Sequence, residues 1–206
     1  MGRGRERRKV GKRSATITRE TGETKISVEL NIDGRGRFDI KTGIRMFDHM
    51  LTHIAQHGLF DIKLNASGWD QHHVVEDVAI SLGQALNKAL GDKRGVTRMA
   101  HALVPMDEAL AMVAVDISGR GYASIEAPFK RKKIGDLESD IVAHFLQTFA
   151  TEARLNLHAK LLGGTNDHHK AEALFKALGR ALDSATKIDE RIHGQVPSTK
   201  GTIESR

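Results

Sequence analysis

One constellation occurs twice in this chain. His72-His73-x-x-Glu76 returns 96 residues later as His168-His169-x-x-Glu172, and each copy runs into the same tail, Leu82-Gly83-x-Ala85-Leu86 and Leu178-Gly179-x-Ala181-Leu182. Two imidazoles with a carboxylate one helical turn on are donors suited to a first-row metal ion. Their return in the same register of the same kind of helix implies a domain duplicated around metal ligands. Whatever architecture the first half builds, the second half is expected to build again.

The periodicities carry the same repeat. Ile26, Val28, Leu30 and Ile32 alternate with polar residues as a half-buried strand does. Asp33-Gly34 is a hairpin signal, with Arg37 to Ile40 expected as the return strand. Met46, Met50 and Ile54 space as an amphipathic helix ending near Gly58, and Leu59 to Ala66 alternates again. After His72, the set Val75, Val78, Ala79, Leu82 and Leu86 follows helical spacing. In the second half Thr97 to Val104, Leu110 to Ile117 and Tyr122 to Ala127 read as strands, and Leu137 to Ala153 as a helix. Leu155, Leu157, Ala159 and Leu161 then alternate as a strand, and a helix after His168 closes the half. Each half is read as three strands, helix, strand, helix. The expected class is α+β, with duplicated βββαβα half-domains over 15–95 and 96–192.

Charge separates the ends from this body. Residues 1–13 hold seven Lys or Arg and one Glu, which is the whole net charge of +6, so the rest of the chain is neutral. Residues 1–14 therefore read as a disordered basic tail, a solvated leader and not a nucleic-acid-binding arm. Lys130 to Lys133 reads as an exposed loop. No apolar run approaches a membrane span, and the start lacks the apolar stretch of a secretory signal. There is no cysteine, which removes disulfides and thiolate metal sites and fits a reducing cytoplasm.

The repeat pairs a further histidine. His49 precedes His72 by 23 residues and His144 precedes His168 by 24, each in the matching helix. The ligand candidates are therefore His49, His72, His73 and Glu76, then His144, His168, His169 and Glu172. His72 and Glu76 share a helix face, whereas His73 points about 100° away. Neighbouring histidines then serve different ions, and sites mixing the two halves or two subunits become feasible. Three nitrogens and an oxygen suit manganese, iron, zinc or cobalt. His53, His57, His101, His158 and His193 are given no metal role.

Asp48-His49-Met50-Leu51, His57-Gly58-Leu59-Phe60-Asp61, His72-His73-x-x-Glu76-Asp77 and Pro105-Met106-Asp107-Glu108-Ala109 resemble motifs of imidazoleglycerol-phosphate dehydratase. So do Asp116-x-Ser118-Gly119-Arg120, His168-His169-x-x-Glu172 and Pro197-Ser198-x-Lys200-Gly201. The resemblance runs from about Ile17 to Ile203 and is to the monofunctional form. It implies two four-stranded sheets flanking a four-helix bundle. It also implies two Mn²⁺ per active site, held by the eight residues above between subunits of a 24-subunit homo-oligomer. Arg98, Arg120, Ser198 and Lys200 match the family's phosphate-binding positions, which makes 193–206 a phosphate-binding C-terminal tail. Glu23, Asp107 and Lys176 match further substrate positions.

The implied reaction is dehydration of D-erythro-imidazole-glycerol phosphate to imidazole-acetol phosphate, in histidine biosynthesis. The carbon proton has no adjacent carbonyl, so a di-manganese-bound imidazolate is expected to push out the hydroxyl, with a carboxylate moving protons. Glu23 is the expected non-ligand acid or base, Glu172 a ligand with a shuttle role, and Glu76 a further candidate. Some positions depart from the family: the stretch 67–71 is short and less acidic, Arg45 and Gly121 stand where proline is common, and His53 stands where glutamine is usual. Two other classes compete. A di-metal carboxylate protein would need an all-helical chain, and a non-catalytic metal-stapled assembly would need no phosphate site.

Overall fold

The structure, a computed structural model, describes residues 13–192 and 194–203. The first half comprises β1 (Ser14–Glu20), β2 (Thr24–Asn31), β3 (Phe38–Lys41), α1 (Arg45–Gly58), β4 (Asp61–Gly68) and α2 (Gln71–Leu90). The second comprises β5 (Met99–Met106), β6 (Ala109–Asp116), β7 (Tyr122–Glu126), the short pair β8 (Lys133–Ile134) and β9 (Leu137–Glu138), α3 (Ser139–Glu152), β10 (Asn156–Gly163) and α4 (Asp167–Thr186). The two halves form matching four-stranded sheets, β1-β2-β4-β3 and β5-β6-β10-β7. Each is antiparallel except at one edge, where β3 lies parallel to β4 and β7 parallel to β10. The fold is α+β.

Strict alternation of buried and less buried residues along β2 and β6 gives each sheet one face for the helices. α2 covers the first sheet and α4 the second. The helices pair across the halves, α1 on α4 and α2 on α3. The repeated Leu-Gly-x-Ala-Leu tail explains how closely. A Cβ on Gly179 would lie 3.0 Å from the backbone of Gly58 and of His53 in α1, and one on Gly83 would lie 2.8 Å from the Phe149 carbonyl in α3. Only a residue without a side chain allows these approaches. Phe145 joins the pairs at the centre, edge-on to Phe47 at 5.3 Å and stacked on Phe175 at 5.5 Å.

Several expectations are corrected. Asp33-Gly34 does not fold β3 back on β2, because β2 already has β1 and β4 as neighbours. Instead the Asp61 carboxylate at the start of β4 accepts from the Arg35 and Arg37 backbone N–H groups at 2.9 and 3.1 Å, and the chain passes around β4. α3 starts at Ser139, since Leu137 and Glu138 pair with β8. β1 is the third strand of the first half, and Ser14 within the presumed tail opens it. Arg13 is folded too, donating to Asp33 and, at 2.6 Å, to the Thr186 carbonyl. The remainder of the basic tail, His193 and residues 204–206 lie outside the described residues. Lys130 to Lys133 are exposed.

Candidate metal centre

The helices deliver their histidines to one end of the bundle. Asp136, in the β8–β9 turn, accepts from the Arg45 and Met46 backbone N–H groups at 2.9 and 2.8 Å, capping α1 from the other half, and its carbonyl accepts from Gln71 at the start of α2. Asp70 caps α2 by accepting from the His73 N–H at 3.1 Å, and Asn166 caps α4 by accepting from the His168 N–H at 2.9 Å. Each His-His pair thus sits in the first turn of a capped helix.

Because the helices pair across the halves, the ligand candidates of the two halves meet, one of the arrangements the repeat left open. His49 of α1 meets His168 and Glu172 of α4: Glu172 Oε2 is 3.6 Å from His49 Nε2 and 3.2 Å from His168 Nε2. His144 of α3 meets His72 and Glu76 of α2, with His144 Nε2 3.7 Å from Glu76 Oε1 and the His72 and His144 rings stacked at 4.8 Å. Donor atoms bound to one ion at about 2.1 Å stand roughly 3.0 Å apart in cis octahedral and roughly 3.4 Å apart in tetrahedral positions. In both clusters the carboxylate oxygens approach the imidazole nitrogens near that spacing. His144 Nε2 is buried and has no hydrogen-bond partner among the described residues, the condition of a nitrogen built for a ligand.

His73 and His169 point elsewhere. The rings of His72 and His73 stand at 80°, those of His168 and His169 at 88°. His73 Nδ1 lies 2.7 Å from Asp70 and its Nε2 3.3 Å from Glu23. His169 Nδ1 lies 2.8 Å from Glu108 and its Nε2 3.8 Å from Asp107. The carboxylate on Nδ1 orients each ring and leaves Nε2 towards Glu23 in one and Asp107 in the other, away from the two clusters. The hydrogen bond from His169 holds Glu108 down to about 2, while Asp70 and Glu108 raise the pKa of His73 and His169.

Glu23 and Asp107 occupy the same place in the repeat, the β1–β2 turn and the β5–β6 turn. Glu23 is held through its neighbour: Thr24 donates its hydroxyl to the buried Asp77 carboxylate, which Arg19 grips at 2.7 Å. Thr21 accepts from the Glu23 and Thr24 N–H groups, closing the turn. Asp107 holds φ at +47°, a left-handed conformation that a short acidic side chain tolerates. Lys176 donates to Glu172 Oε1 at 2.7 Å. Burial opposes ionisation of Glu172, but Lys176 and the neighbouring histidines outweigh it and hold the pKa down to about 2.

The other expected substrate residues gather at the far end of the second sheet. Arg98 forks onto Asp116 at 2.7 and 3.1 Å and donates to the Pro197 carbonyl at 2.7 Å, which fastens the C-terminal segment. Ser118 bonds to the Arg120 carbonyl at 3.1 Å, and Ser198 Oγ accepts from the Lys200 N–H at 3.2 Å. A Cβ on Gly119 would meet the Ile203 carbonyl at 2.8 Å, so Ile203 lies against this loop. Arg98 precedes β5 and Asp107, beside His169, follows it, so Arg98 stands about 25 Å from His169 of the same chain.

Four contributors escaped the sequence reading. His53 lies 3.3 Å from His49 and 3.4 Å from Glu172, and burial pushes its pKa down to about 4. The four-residue step from His49 was the available signal. Asp77, Asp70 and Glu108 act by holding other groups, and a linear sequence carries no mark of that.

The family profile of imidazoleglycerol-phosphate dehydratase matches residues 42–182. A protein of that name from Dehalococcoides mccartyi is 59% identical over 194 residues, 94% of this chain and 99% of the relative. One from Roseiflexus is 58% identical, covering 93% and 98%. The crystal structure of the Staphylococcus aureus enzyme matches with a TM-score of 0.79 at 36% identity, covering 85% of this chain and 99% of that one. The Pyrococcus furiosus structure matches with 0.79 at 39% identity, covering 90% and 99%.

Proposed function

The chain belongs to the imidazoleglycerol-phosphate dehydratase family, and from that premise we propose that it dehydrates D-erythro-imidazole-glycerol phosphate to imidazole-acetol phosphate at a site holding two manganese ions. It is a hydro-lyase of histidine biosynthesis acting on a small molecule. The observation that carries the finer reading is the pair of cross-half clusters, His49–His168–Glu172 and His72–Glu76–His144, whose donor atoms approach at ligand spacing. When bound, manganese would supply Lewis acidity and hold the imidazole ring in place.

The protein's own groups do the rest. Glu23, beside His73 and outside both clusters, moves the proton at carbon, and Glu172 and Glu76 serve as ligands that pass protons on. Asp70 and Glu108 fix the Nε2 atoms of His73 and His169 as further ligands. Arg98, Arg120, Ser198 and Lys200 bind the phosphate, with Asp107 and Lys176 lining the pocket. The separation of about 25 Å along β5 between Arg98 and His169 supports a homo-oligomeric site, in which another copy brings phosphate-binding residues to the histidines. In this reading the assembly has 24 subunits and works in the cytoplasm. Among the described residues no helix is long and apolar enough to cross a membrane.

Elemental analysis after manganese loading should find about two ions per chain, falling to about one in His144→Ala. A protein that takes up no divalent ion would contradict the proposal.

A further inference from the structure

The two clusters are not equivalent, and the difference is His53. α1 carries His49, His53 and His57 four residues apart on one face, against α4. His53 Nε2 stands 3.3 Å from His49 Nε2 and 3.4 Å from Glu172 Oε1, and its side chain is 12% exposed against 42% for His49. The His53–His49 separation matches donors that share one ion, roughly 3.0 to 3.4 Å apart, and the contact with Glu172 keeps the His53 ring beside the carboxylate. His49, His53 and Glu172 each offer an atom within 4.8 Å of the others. Lys176 occupies only Glu172 Oε1, so Oε2, which faces His49 and His168, is not taken by it.

With no ion, one imidazole donates to the other across the 3.3 Å contact. Once His49 Nε2 gives its lone pair to a metal it no longer accepts a hydrogen bond, and His53 Nε2 is left facing the ion. On the other pair of helices this donor is missing. His144 is the counterpart of His49, and four residues later α3 carries Thr148. Leu59 and Arg154, at φ +54° each, mark the same register at the ends of α1 and α3.

We propose that His53 is an additional metal ligand at the α1–α4 centre, so that this centre holds its divalent ion more tightly than the α2–α3 centre does. The proposal rests on the metal-dependent reading above and makes the two ions unequal within it.

The test is a chelator titration of the manganese-loaded protein, with ions retained per chain read by elemental mass spectrometry. Wild type should release its ions in two phases, the second needing at least about tenfold more free chelator. His53→Gln, similar in length and still polar, should shift the second phase by about tenfold or more towards the first. Thr148→His should shift the first phase the opposite way, a gain that a folding defect cannot mimic. Loading with one cobalt(II) ion per chain gives a second readout, since the visible spectrum should differ between wild type and His53→Gln. Release curves and cobalt spectra of His53→Gln that overlay wild type would overturn the proposal while leaving the metal-dependent reading intact. A wild-type protein that binds no divalent ion would overturn that reading itself.

Discussion

Glu23 gains its importance from where it is held, because its side chain is exposed and the Thr21–Thr24–Asp77 network helps to fix the turn that carries it. Glu23→Gln should lower kcat by about 10²- to 10⁴-fold while elemental analysis finds the metal content unchanged. Thr24→Val should lower kcat with little change in KM, and Thr24→Ser should restore it, because only the hydroxyl reaches Asp77. If Thr24→Val turned over normally, the turn would not depend on that bond. The eight ligand candidates were legible because duplication wrote four positions twice. Asp70 and Glu108 were not, since they do the same task from different places: one caps its own helix, the other reaches across from a β-turn. His53 was legible as a helical step and as a departure from the family's glutamine, with nothing in the chain to say that α4 lies opposite.

At the scale of elements, the repeated glycines decide how near the clusters stand. Alanine normally gains about 1 kcal/mol over glycine inside a helix. At Gly83 the added Cβ would lie 2.8 Å from the Phe149 carbonyl and from Glu152 Cβ, so overpacking should dominate. Gly83→Ala is expected to lower stability by about 1–2 kcal/mol, read from the denaturant midpoint, and a raised midpoint would contradict the close packing of α2 on α3. The helices and most strands were visible in hydrophobic period. The partner of β3 was not, because Asp33-Gly34 is a good hairpin turn whose signal is overridden by Asp61. The Arg37 side chain and the Arg35 and Arg37 N–H groups hold the Asp61 carboxyl well below the usual carboxylate range. A depressed folded pKa gives stability that is complete above the unfolded value of about 4 and is lost as pH falls through the folded value. Asp61→Asn should therefore cost stability at pH 7 and less at pH 3. An equal cost at both would place the effect outside the charge.

Over the whole molecule, pseudo-symmetry puts ligands from both halves into each cluster, while β5 separates Arg98 from His169 by about 25 Å. Two inactive variants, Glu23→Gln and Lys200→Ala, should regain activity when dissociated together and reassembled, because some sites then combine intact residues from different copies. No recovery would mean that each chain builds its own site. Duplication and fold class were readable from the chain. The pairing of helices across the halves was not, since repeat spacing says which residues correspond and not which ones touch. The account stands most directly on one assay: turnover of imidazoleglycerol phosphate by the assembled, manganese-loaded protein, before and after chelation. It predicts formation of imidazole-acetol phosphate that stops when the metal is removed and returns with manganese. A metal-loaded, assembled protein that leaves this substrate unchanged would contradict it.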